Sequence, residues 1–228
     1  MKNRLLERIG SNAPEEFLNS LELVDLPLGR ILYEAEDKIR FVYFPHNAVV
    51  SLLAVLSDGS TAEMETIGRE GVLGVVEALG DRVSQGRCIV QFPGSASRVK
   101  IEQFRQVVGA SASVRQAMLC YMQFLFMQIL QVGVCNAVHS AEARFCRTLL
   151  IMRDRMNRDD LPLTHEFLAG MLGVHRPAVS IIAHRMQDEG LIKQGRGLIT
   201  ITDSTHLEDK ACECYKSIRR SYDRLLPP

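Results

Sequence analysis

Between Arg115 and Glu142 the chain carries no Asp, Glu, Lys or Arg. Residues 116–141 read QAMLCYMQFLFMQILQVGVCNAVHSA. The run is long enough to cross a bilayer, which takes about 20 apolar residues. A helix that is apolar nearly all round must be buried on most sides, so whatever covers this one decides between a membrane anchor, a monomer and a dimer. Met118, Met122, Leu125 and Ile129 follow an i, i+4, i+7, i+11 stripe, and Val114 and Val132 extend it. Tyr121, Phe124, Phe126 and Met127 widen it. Gln116, Gln123, Gln128, Gln131 and Asn136 weigh against lipid, where an amide without a partner is costly.

The two ends of the chain have different textures. From Leu23 short runs rich in Val, Ile, Leu, Phe and Tyr are cut by turn residues: LVDLPLG, RILYE, FVYFPHN, AVVSLLAVLSDGS, TAEMETIG. Ser57-Asp58-Gly59-Ser60 reads as a tight hairpin turn, since Asp-Gly accepts positive φ. Further strands fit Arg87–Phe92 and Ala96–Lys100, on either side of Pro93-Gly94. Closely spaced short strands predict an antiparallel barrel or jelly roll. Short helices are expected over 2–9 and 14–21, where Pro14 and two glutamates mark a helix start. A helical insert is expected over 70–80 and helices over 101–110, 111–138 and 140–156. Ser111 or Ser113 would cap the long one, and Phe145, Leu149, Leu150 and Met152 make one face of the next.

Residues 158–162 read as a polar linker or edge turn. After it, THEFLAGMLGVHRPAVSIIAHRMQDEG (164–190) holds two short helices. Thr164 is an N-cap candidate for the first, and Leu168, Met171 and Leu172 give it one apolar face. Gly173 breaks it, and Val174 plugs the turn. Pro177 is allowed in the first turn of the second helix, which buries Val179, Ile182, Ala183 and Met186 and ends at Gly190. Two short helices joined by a glycine turn are a helix-turn-helix. Leu191–Gln194 and Leu198–Ile201 around Gly195-Arg196-Gly197 form a hairpin where a wing belongs. On the solvent face stand Arg176, Ser180, Ile181 and His184. Arg176 suits guanine O6 and N7, which a guanidinium grips with two bonds, and Ile181 suits a thymine methyl. Ser180 fits base or phosphate. Thr164, His175, Lys193 and Arg196 suit phosphates, which position without specifying.

Formal net charge is zero, so any DNA contact rests on local placement. No apolar leader segment is visible at the start. Six cysteines without a C-x-x-C pair fit a reduced, cytoplasmic setting in which thiols pack as small hydrophobes. Cys212 and Cys214, two apart, would point to different faces of a helix, poor for one metal ion. Residues 203–226 read as one terminal helix capped by Asp203, with Lys216, Arg219, Arg220 and Arg224 on a solvated face or near DNA backbone. No enzyme motif, cofactor or metal site is expected.

Residues 163–201, LTHEFLAGMLGVHRPAVSIIAHRMQDEGLIKQGRGLITI, resemble the DNA-binding domain of the Crp/Fnr family of bacterial transcription regulators. Leu168-Ala169, Gly173, Arg176, Val179, Ser180 and the Gly-Leu-Ile of 190–192 carry the resemblance. It implies an α+β chain: a jelly-roll sensor domain of cyclic-nucleotide-binding type (1–110), a long dimerisation helix (111–138) and a winged helix-turn-helix (139–228). The implied partners are double-stranded DNA with a palindromic operator, a second copy of the chain, RNA polymerase and an unidentified small effector, with no membrane. The implied dimer contact is the stripe Val114, Met118, Met122, Leu125, Ile129 and Val132. Pro177 stands where the family often has Glu, and Ile181 where many members have Arg. In the sensor, Leu73-Gly74 and Ser84-Gln85 fall where the family's cyclic-nucleotide pocket has Gly-Glu and Arg-Ser or Arg-Thr, leaving Arg82 or Arg87 to meet a phosphate. The expectation is control by something other than a cyclic nucleotide. Haem ligation would fall to His46, that domain's only histidine, which lies in a Pro-His-Asn turn read as surface. The alternative reading is a small-molecule-binding module whose DNA domain is secondary or degenerate.

Overall fold

A computed structural model of the chain describes residues 3–10, 13–59 and 61–226. Two compact units result: Met1–Phe126 with Tyr222–Pro228, and Met127–Ser221. The division falls inside the long helix, not at either of its ends, and the last residues of the chain join the first unit.

The first unit opens with α1 (Arg4–Gly10) and α2 (Glu15–Asn19), with Lys2 of the expected first helix outside the described residues. Asn3 organises this corner. It is fully buried, its amide donates to the carbonyls of Pro45 (2.9 Å) and Gly71 (2.7 Å), and its carbonyl accepts from Leu6 N–H (2.8 Å). Then come β1 (Glu22–Leu26), β2 (Ile31–Tyr33), β3 (Phe41–Pro45), β4 (Val49–Val55), β5 (Thr61–Ile67), α3 (Val75–Leu79), β6 (Arg87–Phe92) and β7 (Gly94–Lys100). The strands form two antiparallel sheets, in the orders β1-β7-β3 and β2-β6-β4-β5, as the jelly-roll reading requires. Val42, Phe44, Val50, Val90, Phe92, Ala96 and Val99 are buried on them. The β4–β5 connection is wider than a two-residue turn. Its last pair is Val55 with Thr61, and Gly59 takes φ 83°, while Ser60 lies outside the described residues.

His46 corrects the surface reading. It is half-buried, its Nδ1 accepts from Asn3 N–H at 3.1 Å, and its Nε2 meets Ser97 Oγ at 2.9 Å. Both ring nitrogens are engaged, which leaves none for haem iron.

After α4 (Ile101–Ala110), α5 (Ala112–Val138) begins behind Ser111, whose Oγ accepts from Val114 N–H at 3.4 Å. This helix alone among the described residues has the length and apolarity to span a membrane, and one third of its most apolar window is buried. Tyr121 and Phe124 pack into the first unit, Phe124 edge-on to Tyr222 with ring centres 5.1 Å apart. The Tyr121 hydroxyl lies so close to Gly71 that a Cβ there would come within 2.0 Å of it.

The expected stripe on α5 is partly overturned. Val114 and Met118 have no exposed surface in the single chain, so neither faces a second copy. Met122, Leu125 and Val132 lie at the half-buried margin, and Ile129 is exposed. The open apolar face runs through Leu119, Phe126, Leu130 and Val134, about one residue further round the helix. The reason is that α5 has almost no amphipathic asymmetry, so spacing alone cannot choose among its faces.

The second unit takes in the end of α5, then α6 (Ala141–Met156), β8 (Asp160–Leu161), α7 (His165–Leu172), α8 (Arg176–Asp188), β9 (Ile192–Gly195), β10 (Leu198–Ile201), α9 (Ser204–Lys210) and the start of α10 (Cys214–Leu225), whose residues from Tyr222 on belong to the first unit. Ser140 caps α6 by accepting from Ala143 N–H at 3.2 Å, and Asn157 ends it at φ 52°. The supposed linker contributes a strand: Leu161 pairs with Ile199, which gives a three-stranded sheet in the order β8-β10-β9. The supposed single terminal helix is two, broken between Lys210 and Cys214. Asp203 caps the first of them, as expected, accepting from His206 N–H at 3.0 Å.

Candidate nucleic-acid interface

Thr164 Oγ1 accepts from Phe167 N–H at 3.1 Å and so caps α7. The cap satisfies one of the first-turn N–H groups that have no partner inside a helix. Gly173 closes α7 at φ 61°, a conformation that costs a side chain with a Cβ, and Val174 N–H returns to Ala169 O at 3.1 Å. Arg144 donates to Leu172 O at 2.9 Å and holds the other end of the same turn. α8 then starts at Arg176 with Pro177 in its first turn. Val179, Ile182, Ala183 and Met186 are buried beneath it, none more than 8% exposed. Burying such side chains is worth about 1.5–3 kcal/mol for each of the larger ones, so one face of α8 is committed to the core and the opposite face is fixed towards solvent.

That outer face carries His175, Arg176, Ile181 and His184, all exposed. The Arg176 side chain is 67% exposed and leans on Glu166 at 4.0 Å. An exposed pair of that length contributes little, so the guanidinium is free to turn to a base. His184 Nδ1 lies 2.7 Å from Ser180 O, so its N–H is spent on its own helix and only Nε2 faces outward. Ser180 is more occupied than the sequence suggests. It is half-buried, its Oγ lies 2.9 Å from His165 Nδ1, and it donates to Arg176 O at 3.3 Å. The hydroxyl fastens α8 to α7 and is not held out to DNA.

The wing is pinned to the same helix. Gln194 N–H donates to Gln187 Oε1 at 2.8 Å, which ties β9 to the back half of α8. Leu198 pairs with Gly195 across the Arg196-Gly197 turn, where Gly197 takes φ 70°. Lys193 and Arg196 are exposed on it. An open groove of ≈ 450 Å³ runs between the start of α7 and the wing, lined among others by Thr164, Glu166, Arg176, Gly197 and Leu198. A helix start, a wing glycine and an arginine along one groove suit a sugar-phosphate strand.

Sequence reasoning missed His165, Gln187 and Arg144, which build this face through their bonds to Ser180, Gln194 and Leu172. Thr164 was read both as cap and as phosphate contact, and its hydroxyl does the first.

Residues 143–210 match the family model of the Crp-like helix-turn-helix domain. This is a Crp/Fnr-type fold. FixK2 from Bradyrhizobium japonicum superposes with a TM-score of 0.71 at 17% identity, over 84% of this chain and 98% of that one. A CRP-family transcriptional regulator from Thermus thermophilus gives 0.68 at 17% identity, over 82% and 96%. CLP from Xanthomonas campestris, described as a c-di-GMP responsive global regulator, gives 0.64 at 14%, over 82% and 96%. At these identities the likeness establishes the Crp/Fnr fold. No curated protein matches the chain.

In the first unit, the two arginines expected to meet a phosphate are both engaged. Arg82 pairs with Glu102 at 3.0 Å and Arg87 with Glu34 at 2.9 Å. Ser84 is buried and donates to Gly86 O at 2.8 Å. Burial raises the Glu77 carboxyl above its ordinary range.

Proposed function

We propose that the chain is a homodimeric, sequence-specific DNA-binding transcription regulator of the Crp/Fnr type, working in the cytoplasm with RNA polymerase as a partner. The observation that carries this reading is the two-sided α8. Its inner face is packed, and its outer face presents Arg176 and Ile181 beside a wing bearing Lys193 and Arg196. The N-terminal part of a recognition helix is the part that meets base edges, and Arg176 is its first residue.

The open apolar face of α5 supports the dimer. Phe126 is 62% exposed, Leu130 49% and Val134 56%. A contiguous apolar face of this kind marks an interaction surface, and the same face on a second copy is self-complementary about a two-fold axis. Half-sites about 10 base pairs apart centre to centre would follow. Control by a cyclic nucleotide is not part of the proposal, because Leu73-Gly74 and Ser84-Gln85 stand where the family's pocket has Gly-Glu and Arg-Ser or Arg-Thr.

Selection of DNA fragments from a random pool by the purified chain tests the reading. A palindromic motif should be enriched, and failure to enrich any motif, with or without cell extract, would leave a sensor module with a degenerate DNA domain.

A further inference from the structure

The second unit holds a cluster that the DNA-binding reading does not use. Cys135, His139, Cys212 and Cys214 place their ligand atoms within 4.8 Å of one another. Cys135 and His139 are one helical turn apart at the end of α5, with His139 N–H bonded to Cys135 O at 3.1 Å. Cys212 and Cys214 come from the break between α9 and α10. Their expected divergence assumed a helix through both. Cys212 precedes α10 and Cys214 opens it, so both thiols turn inward.

We propose that these four side chains bind one divalent, thiophilic cation of the zinc class in a closed tetrahedral site. The edges fit. With metal–sulfur bonds of about 2.3 Å and metal–nitrogen bonds of about 2.0 Å, a tetrahedral ion sets two sulfurs about 3.8 Å apart and a sulfur and an imidazole nitrogen about 3.5 Å apart. Cys135 and Cys212 are 3.4 Å apart at sulfur, and Cys214 Sγ is 3.6 Å from His139 Nδ1. Such spacing holds a single ion, whereas the cysteines of an iron–sulfur cube stand further apart.

The surroundings are those of a ligand set, not of thiols packed as small hydrophobes. His139 turns Nδ1 to the thiols while its Nε2 lies 3.2 Å from a Glu213 carboxylate oxygen. A carboxylate on the far nitrogen fixes the tautomer that leaves the near one to coordinate. Gln131 donates to Cys214 Sγ at 3.1 Å, as an outer hydrogen bond to a thiolate would. Arg147 is 5% exposed, and its Nε and Nη1 have no hydrogen-bond partner among the described residues. Burial pushes the Cys135 and Cys212 thiols up, and the Arg147 guanidinium opposes that at both. A buried guanidinium needs a counter-charge. Three thiolates and a divalent ion carry net −1, which supplies it. With four protein ligands and no open position, the site is structural: it clamps the end of α5 to the α9–α10 turn.

The test is metal analysis of the full chain, purified under reducing conditions and reloaded with zinc(II) or cobalt(II) after chelation. About one zinc per chain is expected, and cobalt should give the intense visible bands of a tetrahedral site with thiolate-to-metal absorption. Cys135→Ser and Cys214→Ser should each abolish stoichiometric binding. His139→Cys should retain the metal with a shifted cobalt spectrum, and Cys88→Ser should change nothing. Glu213→Gln should weaken affinity about 10–100-fold. The proposal is overturned if the reduced, folded chain takes up neither metal, if binding survives both Cys135→Ser and Cys214→Ser, or if Cys135 and Cys212 isolate as a disulfide whose reduction restores no metal affinity.

Discussion

Arg176 and Ser180 stand one turn apart on α8, and the structure divides their work. The Arg176 guanidinium makes a long, exposed contact with Glu166, while Ser180 is hydrogen-bonded to His165. Substitution of Ser180 by Ala should therefore lower stability, by about 1 kcal/mol for a lost hydrogen bond, more than it alters base preference; denaturant melts and operator competition separate the two. Close approach governs Gly71. A Cβ there meets Tyr121 Oη at 2.0 Å and Cζ at 2.7 Å. Because Tyr121 is 1% exposed, Gly71→Ala should cost about 1–3 kcal/mol in a urea titration. A Gly71→Ala chain as stable as the parent would contradict this packing.

His46 gives a pH dependence at the same scale. Burial holds its pKa below the ordinary value near 6.5, with Glu7 opposing in part. The neutral ring is the form that accepts from Asn3 N–H. Since the folded pKa is depressed, the unfolded chain takes up the proton first as pH falls. Stability attributable to His46 is thus full above about 6.5, declines below it, and levels off under the folded pKa. Urea midpoints between pH 7.5 and pH 5 should fall less for His46→Gln than for the parent; equal slopes would exclude the histidine as the cause.

At the scale of elements, α5 shows where reading from residues stops. The strands were legible because turn residues punctuate them: Pro93 stands between β6 and β7, although β7 begins at Gly94, two residues before the expected Ala96. The helix-turn-helix and wing were legible because α7 and α8 each have one apolar face and a glycine between them. On α5 apolar residues surround the axis, so periodicity put Val114 and Met118 on the seam while packing put them in the core. Cys212 and Cys214 were misread for a related reason. Nothing in DKACECYK marks the break that brings the two thiols together. Likewise Asp160–Leu161 reads as linker because two residues make a strand only beside a partner, here β10. The exposed face of α5 gives the proposed dimer its test. Phe126→Glu with Leu130→Glu should give monomers in sedimentation and remove palindrome binding, because two buried like charges per helix face each other across the two-fold axis. A double variant that stays dimeric would sink the corrected face.

For the whole molecule, the central claim is that the winged unit reads sequence through Arg176 and holds phosphate through the wing. The two contributions have different signatures. A base contact changes discrimination by about 1–3 kcal/mol. A phosphate contact changes affinity for all DNA and lowers the salt slope by about 0.9. The most direct measurement is binding of parent, Arg176→Ala and Lys193→Ala chains to the selected palindrome and its single-base variants over a range of salt. Arg176→Ala should lose its preference at one base pair of each half-site while keeping the salt slope. Lys193→Ala should keep every preference, bind all variants more weakly and show the flatter slope. An Arg176→Ala chain that ranks the operator variants as the parent does would contradict the account.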